Sequence, residues 1–229
     1  FAERIAGRIS QLGKGNMNTS PMPKILCLTG IDGCGKSTHL RRIQERLKQE
    51  LGVTARTLSV WDISRNPRYH RHPFISDRQA VHEYLGLLHG GARTLFILHG
   101  LMESLELLLE SSPDIILADG YWYKYVFSEC LLGQDRGWLQ TAEKCFPQPQ
   151  KTILLDLSPE DSWERKPEIT AYECGLTHPS RESYVNFQTR LHQELVDFGG
   201  GRGWPVVPAD KEEEVVSQNL WELIKLEVI

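Results

Sequence analysis

From residue 24 onward, short apolar runs alternate with longer amphipathic stretches. Lys24-Ile-Leu-Cys-Leu-Thr29 predicts a buried strand, and Leu40, Ile43, Leu47 and Leu51 recur at helical spacing through Ser37 to Leu51. A second strand is expected over 55–61, then a polar, proline-containing loop over 62–73. Helical spacing covers about 77–88 and 92–110, and Pro113 marks the break before the strand Ile115-Ile-Leu-Ala118. A helix over 124–132, a strand at Thr152-Ile-Leu-Leu-Asp-Leu157, a short strand at Pro205-Val-Val207 and a closing helix over 211–225 complete the pattern. Continuous apolar strands separated by helices predict an α/β fold: a five-stranded parallel sheet with helices on both faces.

At 229 residues the chain suits one domain. Residues 1–22 are rich in turn formers and read as a flexible extension or as added residues, leaving 23–229 as the folded domain. With 26 Lys and Arg against 30 Asp and Glu, the net charge of −4 offers no basic field for nucleic acid or an acidic membrane, so anion binding must be local. The most apolar stretch, 95–109, is broken by His99, Glu103 and Glu106, which argues against a membrane span. Cys27, Cys34, Cys130, Cys145 and Cys174 are odd in number and never form C-x-x-C, a pattern suited to a reducing cytoplasm.

The chemistry concentrates in Gly30-Ile31-Asp32-Gly33-Cys34-Gly35-Lys36-Ser37, which fits G-x-x-x-x-G-K-[ST] between an apolar strand and an amphipathic helix. The glycines let backbone N–H groups curl around phosphate, and the helix N-terminus adds partial positive charge. Lys36 is expected on the β- and γ-phosphates of ATP and the Ser37 hydroxyl on Mg²⁺. Asp119 ends the run Ile115 to Ala118, where a P-loop protein holds its metal from the neighbouring strand, so Ser37 and Asp119 form the expected metal pair. Cys34 lies inside the loop and could be a reactive thiol at a helix N-terminus, although phosphoryl transfer needs no thiol.

The segment Gly30 to Thr38 resembles the phosphate loop of thymidylate kinases, in which the third residue is acidic and reaches the acceptor's sugar; Asp32 takes that place. Leu154-Leu-Asp-Leu-Ser-Pro-Glu160 resembles the family's strand before its lid, which then spans about 163–181. Glu182 to Arg190 resembles the helix after the lid, and Val206-Val-Pro-Ala-Asp210 the loop closing over adenine. The resemblance implies the P-loop NTPase fold, ATP with Mg²⁺ as donor system, dTMP as acceptor with dTDP as product, and a homodimer. It makes Lys36, Asp119 and the lid's Arg165 the catalytic set, with Asp32 and Tyr121 among the residues at the acceptor.

Two departures qualify that picture. Thymidylate kinases follow the strand-ending Asp with Arg, whereas this chain reads Asp119-Gly120-Tyr121; the family's acceptor-phosphate Arg in the preceding helix falls near His99 and Gly100. Arg65, Arg68, Arg93 and Lys124 are the cations available in exchange, and the missing arginines predict weak use of dTMP. The same fold acting on another small acceptor, or an ATP-binding regulator without transfer, remain the alternatives. Trp61, Trp122 and Tyr123 suit either a base-stacking pocket or core packing.

Overall fold

A computed structural model describes residues 22–228. The expectation of a separate extension over 1–22 lies almost wholly outside the described residues. Five strands, β1 (Lys24–Thr29), β2 (Ala55–Leu58), β3 (Ile115–Asp119), β4 (Lys151–Asp156) and β5 (Val206–Pro208), form one parallel sheet in the order β2-β3-β1-β4-β5. The helices are α1 (Lys36–Leu51), α2 (Arg78–Leu87), α3 (Gly90–Glu110), α4 (Trp122–Leu131), α5 (Gly137–Cys145), α6 (Pro159–Arg165), α7 (Arg181–Gly200) and α8 (Glu213–Lys225). Helix α1 packs with α8, while α4 packs with α3, α5 and α7, so two groups of helices cover the sheet. All but one residue of β1 are buried, as a central parallel strand requires.

The predicted strand over 55–61 stops at Leu58. Ser59 diverts it: its hydroxyl accepts from the Trp61 backbone N–H while the Asp62 carboxylate accepts from the Ser59 N–H, closing a capping box on the 3₁₀ turn Val60–Arg65. That turn lies against α3 at Gly100, where a β-carbon would stand 3.2 Å from the Val60 carbonyl oxygen. The loop expected over 62–73 therefore contains ordered turns, including Pro67–Tyr69. Helix α5 was not anticipated, because it is short and no side chain caps its first turn.

Helix α4 is buried from Trp122 through Glu129. A helix enclosed on all sides must satisfy its own polar groups. Glu129 does so with Arg93 of α3, whose Nε lies 2.9 and 3.0 Å from its two oxygens, with the Thr94 hydroxyl and with the Tyr172 hydroxyl at 3.0 Å. This cluster joins α3, α4 and the segment before α7. Arg93→Ala should destabilise the fold by about 3–5 kcal/mol in urea unfolding by stranding the Glu129 carboxylate, and an Arg93→Met, Glu129→Leu double variant should regain most of that loss.

Candidate active site

The loop following β1 and the end of β3 meet because those strands are paired neighbours, with Leu28 opposite Asp119. Ser37, in the first turn of α1, accordingly donates its hydroxyl to Asp119 Oδ2 at 2.5 Å. Lys36 is buried, its ammonium donating to the carbonyls of Gly30 at 3.1 Å and Ile31 at 2.6 Å. The loop thus concentrates a cation, a run of N–H groups and two hard oxygen donors at the carboxyl edge of the sheet, the ligand-binding edge of open α/β folds. Cys34 is fully buried and burial pushes its thiol up, so the expectation of a reactive thiol is corrected.

Asp32 is the most connected residue of the loop. Lys124, from the first turn of α4, places its ammonium 2.5 Å from Asp32 Oδ1. The Gln188 side chain accepts from the Asp32 N–H at 3.1 Å, and the hydroxyls of Tyr184 and Ser162 donate to the Asp32 carbonyl. Burial alone would raise the Asp32 carboxyl, but Lys124, Lys36 and Lys166 around it prevail and hold it well below the usual carboxylate range. Burial pulls the Lys124 ammonium down; Asp32, with Asp119 and Glu173, more than reverses this.

Of the other expected acceptor residues, Arg65 is largely exposed, 3.3 Å from Asp62. Arg68 instead pairs with Glu110 at the last residue of α3, and Arg93 is engaged with Glu129. Tyr121 is fully buried with its hydroxyl on the Pro147 carbonyl at 3.0 Å, so it faces the core and not the acceptor space. Trp122 and Tyr123 are core aromatics as well. The aromatic beside the site is Tyr125: Lys124 Nζ lies 5.4 Å from its ring centroid, Trp61 meets its edge, and its phenol is pushed up by burial and then by Asp119, Asp32 and Asp62. Tyr121 precedes α4 in extended backbone whereas Tyr125 lies within the helix, so their side chains leave the chain in different directions.

The segment 163–181 begins within α6 and lies over the phosphate loop. A β-carbon on Gly33 would stand 2.7 Å from Ser162 Oγ and 2.9 Å from Lys166 Cγ. Arg165 points elsewhere, donating to the Ala209 carbonyl at 2.9 Å in the loop after β5. The cation above Gly33 is therefore Lys166, held 2.9 Å from Glu173, and sequence spacing alone had favoured its neighbour.

A protein from Sulfolobus acidocaldarius described as a probable thymidylate kinase is 30% identical over 205 residues, covering 87% of this chain and 95% of that relative. The chain belongs to the thymidylate kinase family. A probable thymidylate kinase from Saccharolobus solfataricus is 26% identical, covering 87% of this chain and all of the relative. The thymidylate kinase of Ehrlichia chaffeensis superposes with a TM-score of 0.60 at 16% identity, over 90% of this chain and all of that structure, and shares the fold. No model of a known family matches the chain. Gly120 follows Asp119 where the family resemblance implies an arginine.

The depressed Asp32 carboxyl contributes stability that is present above its unfolded pKa of about 3.9 and lost as pH falls through its lower folded value. The raised Lys124 contributes stability present below about 10.4 and lost as pH rises through its folded value. Thermal melts of the wild type and Asp32→Asn should therefore differ most between pH about 4 and 10 and converge on either side. A gap that stayed constant from pH 7 to pH 2 would contradict this account.

Proposed function

We propose that the chain transfers the γ-phosphoryl group of ATP to dTMP, releasing ADP and dTDP. The observation that carries this reading is the convergence of Lys36, the Ser37–Asp119 pair and the Asp32–Lys124 pair at one edge of the sheet, in a chain whose relatives are described as thymidylate kinases. Backbone N–H groups of residues 30–38 and Lys36 hold the donor phosphates, and Asp32 and Lys124 face the acceptor. Ser37 and Asp119 present the hard oxygens that suit Mg²⁺, which when bound neutralises charge on the donor phosphates. The acceptor oxygen is already ionised at neutral pH, so the residues need only align it and draw charge from the moving phosphoryl. Lys166, above Gly33, is better placed than Arg165 to follow that charge.

Lys124 takes the place of the family's arginine. Gly120 has φ of 65°, and a β-carbon there would stand 3.0 Å from Lys124 Cδ. A side chain at 120 and Lys124 as seated thus compete for one volume. The exposed Leu87 at the end of α2 and Leu95 of α3 are apolar surface that a homodimer would cover. All five cysteines stand as free thiols, in keeping with work in the cytoplasm.

Assayed against a panel of nucleoside monophosphates with ATP, the wild type should turn over dTMP best, and Lys36→Ala should lose turnover while melting normally. Another monophosphate used faster than dTMP would displace this reading. Lys124→Ala should raise the KM for dTMP about 10–150-fold, the value of one charge-assisted hydrogen bond of about 1.5–3 kcal/mol, with a much smaller effect on ATP. Gly120→Arg added to Lys124→Ala should recover part of that loss, because the vacated volume then admits the arginine.

A further inference from the structure

Gln188 of α7 is fully buried, and its side-chain amide is spent on segments far from its own helix. The amide oxygen accepts the Asp32 N–H at 3.1 Å, while the NH₂ group donates to the Glu173 carbonyl at 2.9 Å and to Asp32 Oδ2 at 3.4 Å. A primary amide offers an acceptor oxygen and two N–H donors, so both ends of Gln188 are engaged. It thereby joins Asp32 in the phosphate loop to the 3₁₀ turn Tyr172–Cys174, which lies between α6 and α7.

Glu173 continues this line of contacts. Its Oε1 accepts from the Lys166 ammonium at 2.9 Å, and its Oε2 accepts from the Thr170 N–H at 2.9 Å and the Thr170 hydroxyl at 3.1 Å. Side-chain exposure is only 20% at Lys166 and 14% at Glu173, so water and salt screen the pair weakly. A lysine ammonium is a point charge on a flexible four-carbon stem, and it needs a fixed partner to stay in one place. Glu173, itself pinned by Thr170, is that partner. The Lys166 stem lies over the loop, with its Cγ 2.9 Å from where a Gly33 β-carbon would stand.

We propose that Gln188 and Glu173 are positioning residues, forming a relay from Asp32 through Gln188 and Glu173 to Lys166. Glu173 presents the ammonium where the moving phosphoryl gathers charge, and Gln188 holds Asp32 in register with the turn that carries Glu173. Seating of the acceptor-side carboxylate is thus tied to seating of the lysine above the phosphate loop. The relay rests on the roles proposed above for Asp32 and Lys166.

Steady-state kinetics with ATP and dTMP test the Glu173 end. Glu173→Gln keeps the shape of the side chain and an oxygen for Thr170; it should lower kcat about tenfold and leave both KM values nearly unchanged. In a Lys166→Ala background the same substitution should cost nothing further, because its effect passes through the ammonium. Losses that multiply, as a purely structural role for Glu173 would give, overturn the proposal. A rise in kcat also overturns it, since Glu173 would then restrain Lys166 instead of presenting it. The Gln188 end is read without substrate, by NMR hydrogen exchange of the nucleotide-free protein. Gln188→Met keeps the length of the side chain and removes the amide; relative to the amides of β3, exchange should speed up about tenfold at both Asp32 and Thr170. Acceleration at Asp32 alone breaks the relay, and if Gln188→Met unfolds, the Glu173 cycle decides. Exchange does not depend on turnover, so an enzyme that prefers another monophosphate fails the functional reading but not this measurement, and the kinetic cycle is then run with that monophosphate.

Discussion

The ion pair between Asp32 and Lys124 fastens the phosphate loop to the helix that follows the neighbouring strand. Both charges are largely withdrawn from water, so neither is affordable alone, and each fixes the other's position. The pair is also where the loop's outer connections meet: Ser162 and Tyr184 grip the Asp32 carbonyl, and Gln188 grips its N–H. Helices α6, α7 and α4 and the phosphate loop consequently share one anchored residue. The lysine at 124 thus has a structural partner in the phosphate loop.

Strand order supplies the rest of the constellation. Because β1 lies between β3 and β4, the loop after β1 has Asp119 on one side and the approach to α6 on the other. Parallel pairing places those strand ends at one edge, and the register of Leu28 with Asp119 brings Ser37 within hydrogen-bonding reach of the carboxylate. Backbone hydrogen bonding determines this geometry, which is why residues separated by 82 positions share a hydrogen bond.

Gly100 and Gly120, at or near the family's arginine positions, have steric counterparts. At 100, the 3₁₀ turn Val60–Arg65 occupies the volume into which a side chain would emerge; at 120, the Lys124 stem does. In such close packing a side chain at either position would require its neighbour to shift by a few tenths of an ångström.

Periodicity and the glycine loop were enough to predict the parallel sheet, the succession of its strands and the meeting of Ser37 with Asp119, because those features depend on local spacing and on strand-loop-helix continuity. Boundaries were less legible where side chains compete for backbone groups, as Ser59 and Asp62 do at the end of β2. Tyr121 and Tyr125, or Arg165 and Lys166, could not be told apart from sequence: each pair differs in the direction its side chains leave the backbone, and that depends on where a helix starts and what packs beside it. The sequence by itself determined which residues could bind phosphate and metal. Only the tertiary structure decided which cations reach the site, because reach depends on the packing of elements far apart in the chain.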